Sequence, residues 1–209
     1  MTGQSSHARL EFVFPPDPFN LTPTPDIAGL ERFGYVGDTE AYISSDLKEE
    51  VARAQARGGL ALGAVYHGTS SGALPGIALH GSILSSSRLI ELGCDVTTGE
   101  ISEPQGSIHR ATGGLEDIFA CHDPVNTSYA FNKEGEYPVI FGIHDAKVRD
   151  AHSDGLKLGS RVPLSSVVSL TVPYEQLSPA EAWAEAHCQT GAIVVSREAA
   201  IILSIAQRD

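Results

Sequence analysis

The chain is poor in basic residues, in cysteine and in long apolar runs. Lys and Arg total 14 against 26 Asp and Glu, giving a net charge of −12 over 209 residues and an isoelectric point near 5.0. No Lys/Arg run supplies the positive footprint that a nucleic-acid backbone or an anionic lipid surface requires, and the net field repels both. Nucleic acid and membrane are therefore not expected as partners. A basic protein surface fits better, although the same charge also serves solubility. Three cysteines, Cys94, Cys121 and Cys188, cannot all pair within one chain, so free thiols in a reducing, cytoplasmic compartment are expected. The opening MTGQSSHARLEFVF has no basic segment followed by an apolar one, so an ordinary secretory signal is not expected; export into a host cell would need a non-classical route. The apolar stretch near residue 200 is broken by Arg197 and Glu198, which rules it out as a membrane span.

What is present points to a turn-rich, strand-containing domain. Hydrophobic residues make up 42%, enough for a core, and 21 glycines and 12 prolines argue against a helical bundle. Residues 1–25, with PPDPFNLTPTPD, read as a proline-rich tail; residues 26–209 then form one domain. Asp46, with Glu49 three residues on, is expected to cap a helix whose Leu47, Val51 and Ala54 share a face and which Gly58-Gly59 ends. LALGAVYHGT reads as a buried strand with a polar end, and LPGIALHG as a short helix closing at Gly81. Residues 85–115, rich in Ser, Gly and Thr, read as loops. IFA, PVIFGI, VVSLTV and AIVV read as strands, NTSYAF as a helix start, and AAIILSIA as a strand or a helix. Ser178-Pro179-Ala180-Glu181 has the composition of a capped helix start, with the helix running to about His187. The fold class expected is α+β.

Tyr66-His67-Gly68-Thr69 is the most informative stretch. A histidine in an apolar strand needs hydrogen-bond partners, and taken alone it reads as a satisfied core residue. Gly68 lets another group approach the backbone. The surrounding HGTSSGALPGIALHG, with Leu74, Gly76, Ile77 and Gly81 in register, resembles the first NAD-binding motif of the ADP-ribosyltransferase superfamily, in its diphtheria-toxin and poly(ADP-ribose) polymerase branch. IFACHDPVNTSYAF resembles the second motif: Phe119 and Ala120 match its strand, Asn126 stands where the family has serine, and Tyr129 matches its ring-stacking tyrosine. PVIFGI follows as the family's next strand does. The resemblance covers roughly residues 62–145, with a weaker match at 189–196. It implies a split antiparallel β-sandwich with short peripheral helices. It implies NAD as substrate, with His67, Gly68, Thr69, Phe119, Asn126 and Tyr129 binding it. His67 would hold a ribose hydroxyl, the Gly68 backbone the nicotinamide amide, and Tyr129 the ring face. Cleavage of the nicotinamide–ribose bond builds positive charge on the sugar, as in glycoside hydrolysis.

The family's third motif is a strand entered through a catalytic glutamate, with Gln or Glu two positions earlier. Here the match is Gln189-Thr190-Gly191-Ala192-Ile193-Val194-Val195, with Gln189 in the earlier position and Gly191 where the glutamate belongs. As a continuous strand it would set Gln189, Gly191, Ile193 and Val195 on one face, with Glu198 on the other parity. Glu103 or Glu116 from the long loop could substitute. The His-Tyr-Glu set with its glutamate absent implies a mono-ADP-ribosyltransferase acting on a protein side chain, with Gln189 supplying part of the lost hydrogen bonding. Bacterial toxins and effectors of similar size modify host proteins, ubiquitin among them, whose basic conjugation face suits an acidic enzyme. Alternatives are a catalytically inactive NAD- or ADP-ribose-binding module, and a transferase acting on a small molecule or RNA, the last opposed by the charge.

Other constellations are weaker. Cys121-His122-Asp123 has thiol-protease residue types, but adjacent residues rarely converge into a relay. The eight histidines and three cysteines fit no zinc spacing, so no metal is expected. Gly58 to Gly63 lacks the Gly-Lys-Ser/Thr ending of a phosphate loop. Glu181 and Glu185 read as a solvated helix face, and Trp183 as core. Because the proline-rich tail cannot support a packed core, a chain truncated to begin near Asp26 is expected to retain NAD turnover in a nicotinamide-release assay. Loss of turnover in a truncated chain that still melts cooperatively would assign the tail to the site.

Overall fold

The computed structural model describes residues 44–96, 116–125, 135–152, 155–188 and 191–206. The proline-rich tail and the expected NTSYAF helix lie outside the described residues. In chain order the elements are α1 (Ser45–Ala56), β1 (Val65–Ser70), α2 (Leu74–His80), β2 (Ser82–Leu84), α3 (Ser86–Glu91), β3 (Phe119–Ala120), β4 (Pro138–Ile143), β5 (Asp150–His152), β6 (Gly155–Lys157), β7 (Arg161–Pro163), β8 (Val167–Val172), α4 (Leu177–His187), β9 (Ile193–Ser196) and α5 (Arg197–Ala206). This is a mixed α+β chain with several antiparallel pairings and short helices, as expected.

The main sheet runs β1-β4-β8-β9. β4 is buried at every position, which explains its unbroken apolar sequence: it has no solvent face to alternate with. The register aligns His67, Phe141, Leu170 and Val194 in one row across the sheet. On that face Val65, Val139, Phe141, Ile143, Leu170, Val172 and Val194 join the main core. Leu74 and Ile77 of α2, Ala180 and Ala184 of α4, and residues of the two smaller sheets, β2-β7 and β3-β6-β5, cover it. Trp183 packs edge-on to Phe141 with ring centroids 5.9 Å apart, and Glu181 and Glu185 are exposed. At the β9 end of the opposite face, Ile193 and Val195 pack with Leu47, Val51 and Ala54 of α1 and with Ala199, Ala200, Ile201 and Leu203 of α5.

Several local expectations change. Ser44, not Asp46, caps α1, accepting from the Leu47 N–H at 3.1 Å; Asp46 sits in the first turn, where its charge favours the helix dipole. Part of the region read as loop is α3, capped by Ser85 and braced by an Arg88–Glu91 ion pair at 2.6 Å. Helix α4 begins at Leu177 as the continuation of a 3-10 turn at Tyr174–Gln176, so Ser178 is an interior residue and makes no cap. AAIILSIA is helical. β9 pairs parallel to β8, so the sheet is not wholly antiparallel; α4 lies between the two in sequence and packs on both, as a parallel crossover requires. The strand expected from Gln189 begins only at Ile193, because Gly191 takes a left-handed backbone (φ 63°) that ends the alternation.

α1 grips β9 at both ends. Both Ser196 N–H and Ser196 Oγ donate to the Glu50 carboxylate, the latter at 2.9 Å, while Ser196 Oγ accepts from Ala199 N–H at the start of α5. Seven residues on from Glu50, at the C-cap of α1, Arg57 donates to the Gly191 and Ala192 carbonyls at 3.1 and 3.4 Å. Burial raises the Glu50 pKa, outweighing the two Ser196 hydrogen bonds and Arg53, with Glu181 adding slightly to the rise. The fold therefore holds a proton on Glu50 more tightly than the unfolded chain does. Its stabilising contribution is complete below the ordinary glutamate range and is lost as pH rises through the elevated folded value. In thermal melts from about pH 4 to about pH 8, the wild type is expected to lose stability relative to Glu50→Gln as pH rises. A gap between the two that stays constant with pH would show that Glu50 does not titrate this way.

Candidate functional site

β3 meets the outer edge of β1 and leaves it within three residues. Tyr66 and Cys121 exchange both backbone hydrogen bonds, at 2.8 and 2.9 Å. Phe119 and Ala120, just before, pair instead with Lys157 and Leu156 of β6. The two strands therefore diverge, and His67 spans the gap: its Nδ1 lies 2.7 Å from the Phe119 carbonyl oxygen. A carbonyl only accepts, so Nδ1 carries the proton and the neutral ring keeps its lone pair on Nε2. Burial holds the His67 pKa below the ordinary histidine range, outweighing the Phe119 hydrogen bond. The imidazole is thus neutral at physiological pH, with Nε2 an acceptor that has no partner among the described residues.

Backbone alternation makes the same edge polar. Because Tyr66 directs its N–H and C=O outward to Cys121, Gly68, two residues on, directs its own outward too. By then β3 has turned away to β6, and neither Gly68 group has a partner among the described residues. A donor and an acceptor thus lie side by side on the strand edge, one residue from the imidazole. Gly68 itself is buried, while His67 and Thr69, on the other face, are half-buried. Sequence reasoning pointed to Gly68 as a place of close approach. That both its backbone groups are open follows only from where β3 departs, a tertiary fact with no local signal.

The strand beneath is stiffened by Tyr66. A Cβ on Gly142, directly opposite, would come 3.0 Å from the Tyr66 ring and would collide with Ser169 Oγ. Burial, and then Asp123 and Cys121, push the Tyr66 hydroxyl up to about 12, so it stays protonated. The remaining residues of the first motif serve packing: Leu74, Gly76 and Ile77 are buried, and Gly81 closes α2 in a left-handed conformation (φ 58°) that a glycine adopts without strain.

Asn126, Tyr129, Gln189 and Glu103 lie outside the described residues. Phe119 is half-buried and takes part through its carbonyl. Glu116 is exposed in the turn before β3. Gly191 precedes β9, which lies three strands from β1, or roughly 14 Å at normal strand spacing. Glu198 is half-buried in the first turn of α5. In Cys121-His122-Asp123 the thiol lies 3.7 and 3.4 Å from the Tyr66 and Asp123 carbonyls, either of which can accept its one proton, and the Asp123 carboxylate accepts from Val125 N–H at 2.9 Å. Both groups are turned to backbone, an arrangement unlike a nucleophile–base relay. In comparison with known proteins, no family model, no curated protein and no solved structure matches this chain.

Nitrogen NMR of the histidines tests the site's electrostatics. His67 is expected to show the Nδ1–H tautomer and a titration midpoint below the ordinary histidine value of about 6.5. A midpoint above that value would mean that the ring is solvated and charged, with no lone pair on Nε2.

Proposed function

We propose that this chain is an NAD-dependent mono-ADP-ribosyltransferase that moves one ADP-ribose to a protein side chain. The open Gly68 N–H and C=O beside a neutral His67 carry this reading. A carboxamide presents one acceptor and one donor, and the Gly68 pair is their complement on a strand edge. The His67 Nε2 lone pair can accept from a neighbouring ribose hydroxyl. Together they would hold nicotinamide and its ribose in one orientation, which is most of what such a reaction requires of the protein. The nicotinamide–ribose C–N bond breaks with its electron pair leaving on nicotinamide. The acceptor heteroatom then bonds to the sugar carbon on its open face and gives its proton to solvent. The resemblance adds Thr69, Phe119, Asn126 and Tyr129 to the substrate contacts and a split β-sandwich of the ADP-ribosyltransferase type as the frame. The acidic surface favours a basic-faced acceptor, ubiquitin being one, and such a protein would suit a secreted effector.

A second reading, a module that binds NAD or ADP-ribose without turnover, is favoured by one observation. The position where the family carries its glutamate is a left-handed glycine ahead of a strand three removed from His67. The same observation limits an active enzyme to single transfer, because chain growth needs that carboxylate to activate an incoming hydroxyl. With labelled NAD and cell lysate, the acceptor is expected to gain the mass of one ADP-ribose, and His67→Ala is expected to lose about a hundredfold in turnover while keeping its fold. A ladder of repeated units would overturn the single-transfer claim, and tight NAD binding with no labelled band would establish the second reading.

A further inference from the structure

Four residues beyond Gly68 the chain turns from β1 into α2, and two side chains that the motifs do not include meet it there. Ser71 N–H donates to the Tyr137 carbonyl at 2.7 Å, and Tyr137 N–H donates to Ser71 Oγ at 3.0 Å. Thr69 stands opposite Val139, so alternation sets Tyr137 on the face that carries His67 and Thr69. Its ring is half-buried against the main core. The adjacent Glu136 lays its carboxyl group on Gly72: a Cβ there would come 2.5 Å from the carboxyl carbon and one of its oxygens. The missing side chain of Gly72 is what makes room for a carboxylate at the end of β1.

We propose that Glu136 and Tyr137 form the adenosine end of the NAD site and make the protein select NAD over NADP. The proposal rests on the NAD-binding reading above. From Gly68 to Gly72 the chain takes two steps along β1 and two into the 3-10 turn Ser71–Ala73, about 11 Å along the chain at most, a separation suited to the two ends of a dinucleotide lying along this stretch. A carboxylate only accepts hydrogen bonds. It therefore takes the adenosine ribose hydroxyls as donors, as acidic residues do in dinucleotide-binding folds. A 2′-phosphate offers it like charge and is repelled. The Tyr137 ring gives the purine a flat apolar face, a contact indifferent to the 2′ substituent.

Calorimetric titration of the full chain with NAD and with NADP tests this without requiring turnover. The wild type is expected to bind NAD at least about tenfold more tightly than NADP, and Glu136→Gln to bring the two affinities within about threefold. Gly72→Ala, which displaces the carboxyl group without removing it, should weaken NAD more than NADP. Tyr137→Leu, which keeps apolar bulk against the core but loses the aromatic face, should weaken both about equally. A wild type indifferent to the 2′-phosphate, an unchanged preference in Glu136→Gln, or unchanged affinities in Tyr137→Leu overturns the corresponding assignment and leaves the NAD reading standing. A folded wild type that binds neither dinucleotide overturns both.

Discussion

One hydrogen bond spans the place where two strands part company. β3 pairs with β1 at Cys121, but the residues before it belong to a different sheet, and the His67 imidazole fills the widening interval by donating to the Phe119 carbonyl. A bond of this kind adds only about 1 kcal/mol net, yet its geometric effect is larger. It fixes which ring nitrogen holds the proton, and it ties β3 to β1 as the two diverge. With no further ladder bond there among the described residues, the Gly68 backbone groups stay open. A histidine that satisfies a carbonyl and a histidine that serves a ligand are usually competing readings. Here the carbonyl takes the Nδ1–H and leaves the lone pair on Nε2, so the first role does not exclude the second.

Much of the scaffold was legible because its signals are local. PVIFGI and VVSLTV are apolar runs whose length suits strands, and Gly58-Gly59 and Gly81 stop helices through conformations that other residues take at a cost. The capping residues were less legible. Both Ser44 and Asp46 have the chemistry of a cap, and the choice between them rests on which backbone is extended, not on composition. Ser178-Pro179 shows the same limit, since the preceding 3-10 turn at Tyr174–Gln176 had already started the helix. Sheet order could not be read at all. Nothing local in AIVV distinguishes a strand beside β1 from one beside β8, so the distance between the third motif and His67 became apparent only with the topology. At the site, the type and spacing of His67, Gly68 and Phe119 were visible in the sequence. Their meeting across 52 positions was suggested only by resemblance.

The residues of the first motif divide their labour by face and by element. His67 and Thr69 lie half-open on one side of β1, Tyr66 locks the other side over Gly142, and Leu74 and Ile77 bury α2 against the core. Substitution at the buried positions would be felt as loss of packing, on the order of 2 to 5 kcal/mol for Leu or Ile to Ala. That is large beside the stability of a typical domain. Resistance to change along this stretch therefore has two independent origins, packing at the buried positions and the hydrogen bond of His67 to Phe119.

The grip of α1 on β9 joins residues that the ribosome makes far apart in time. Glu50 and Ser196 are separated by 146 positions, and Arg57 and Gly191 by 134. Helix α1 is the first of the described elements to emerge, yet its buried carboxylate waits for Ser196, and its apolar stripe has only Leu60 and Val125 of its cluster before β9 and α5 are made. The entropy of closing so long a loop must be met before either contact can form, so the α1–α5 layer is the last part of the fold able to consolidate. During synthesis Leu47, Val51 and Ala54 lack most of their cover for that interval, and a chain truncated before Ile193 would lack it permanently.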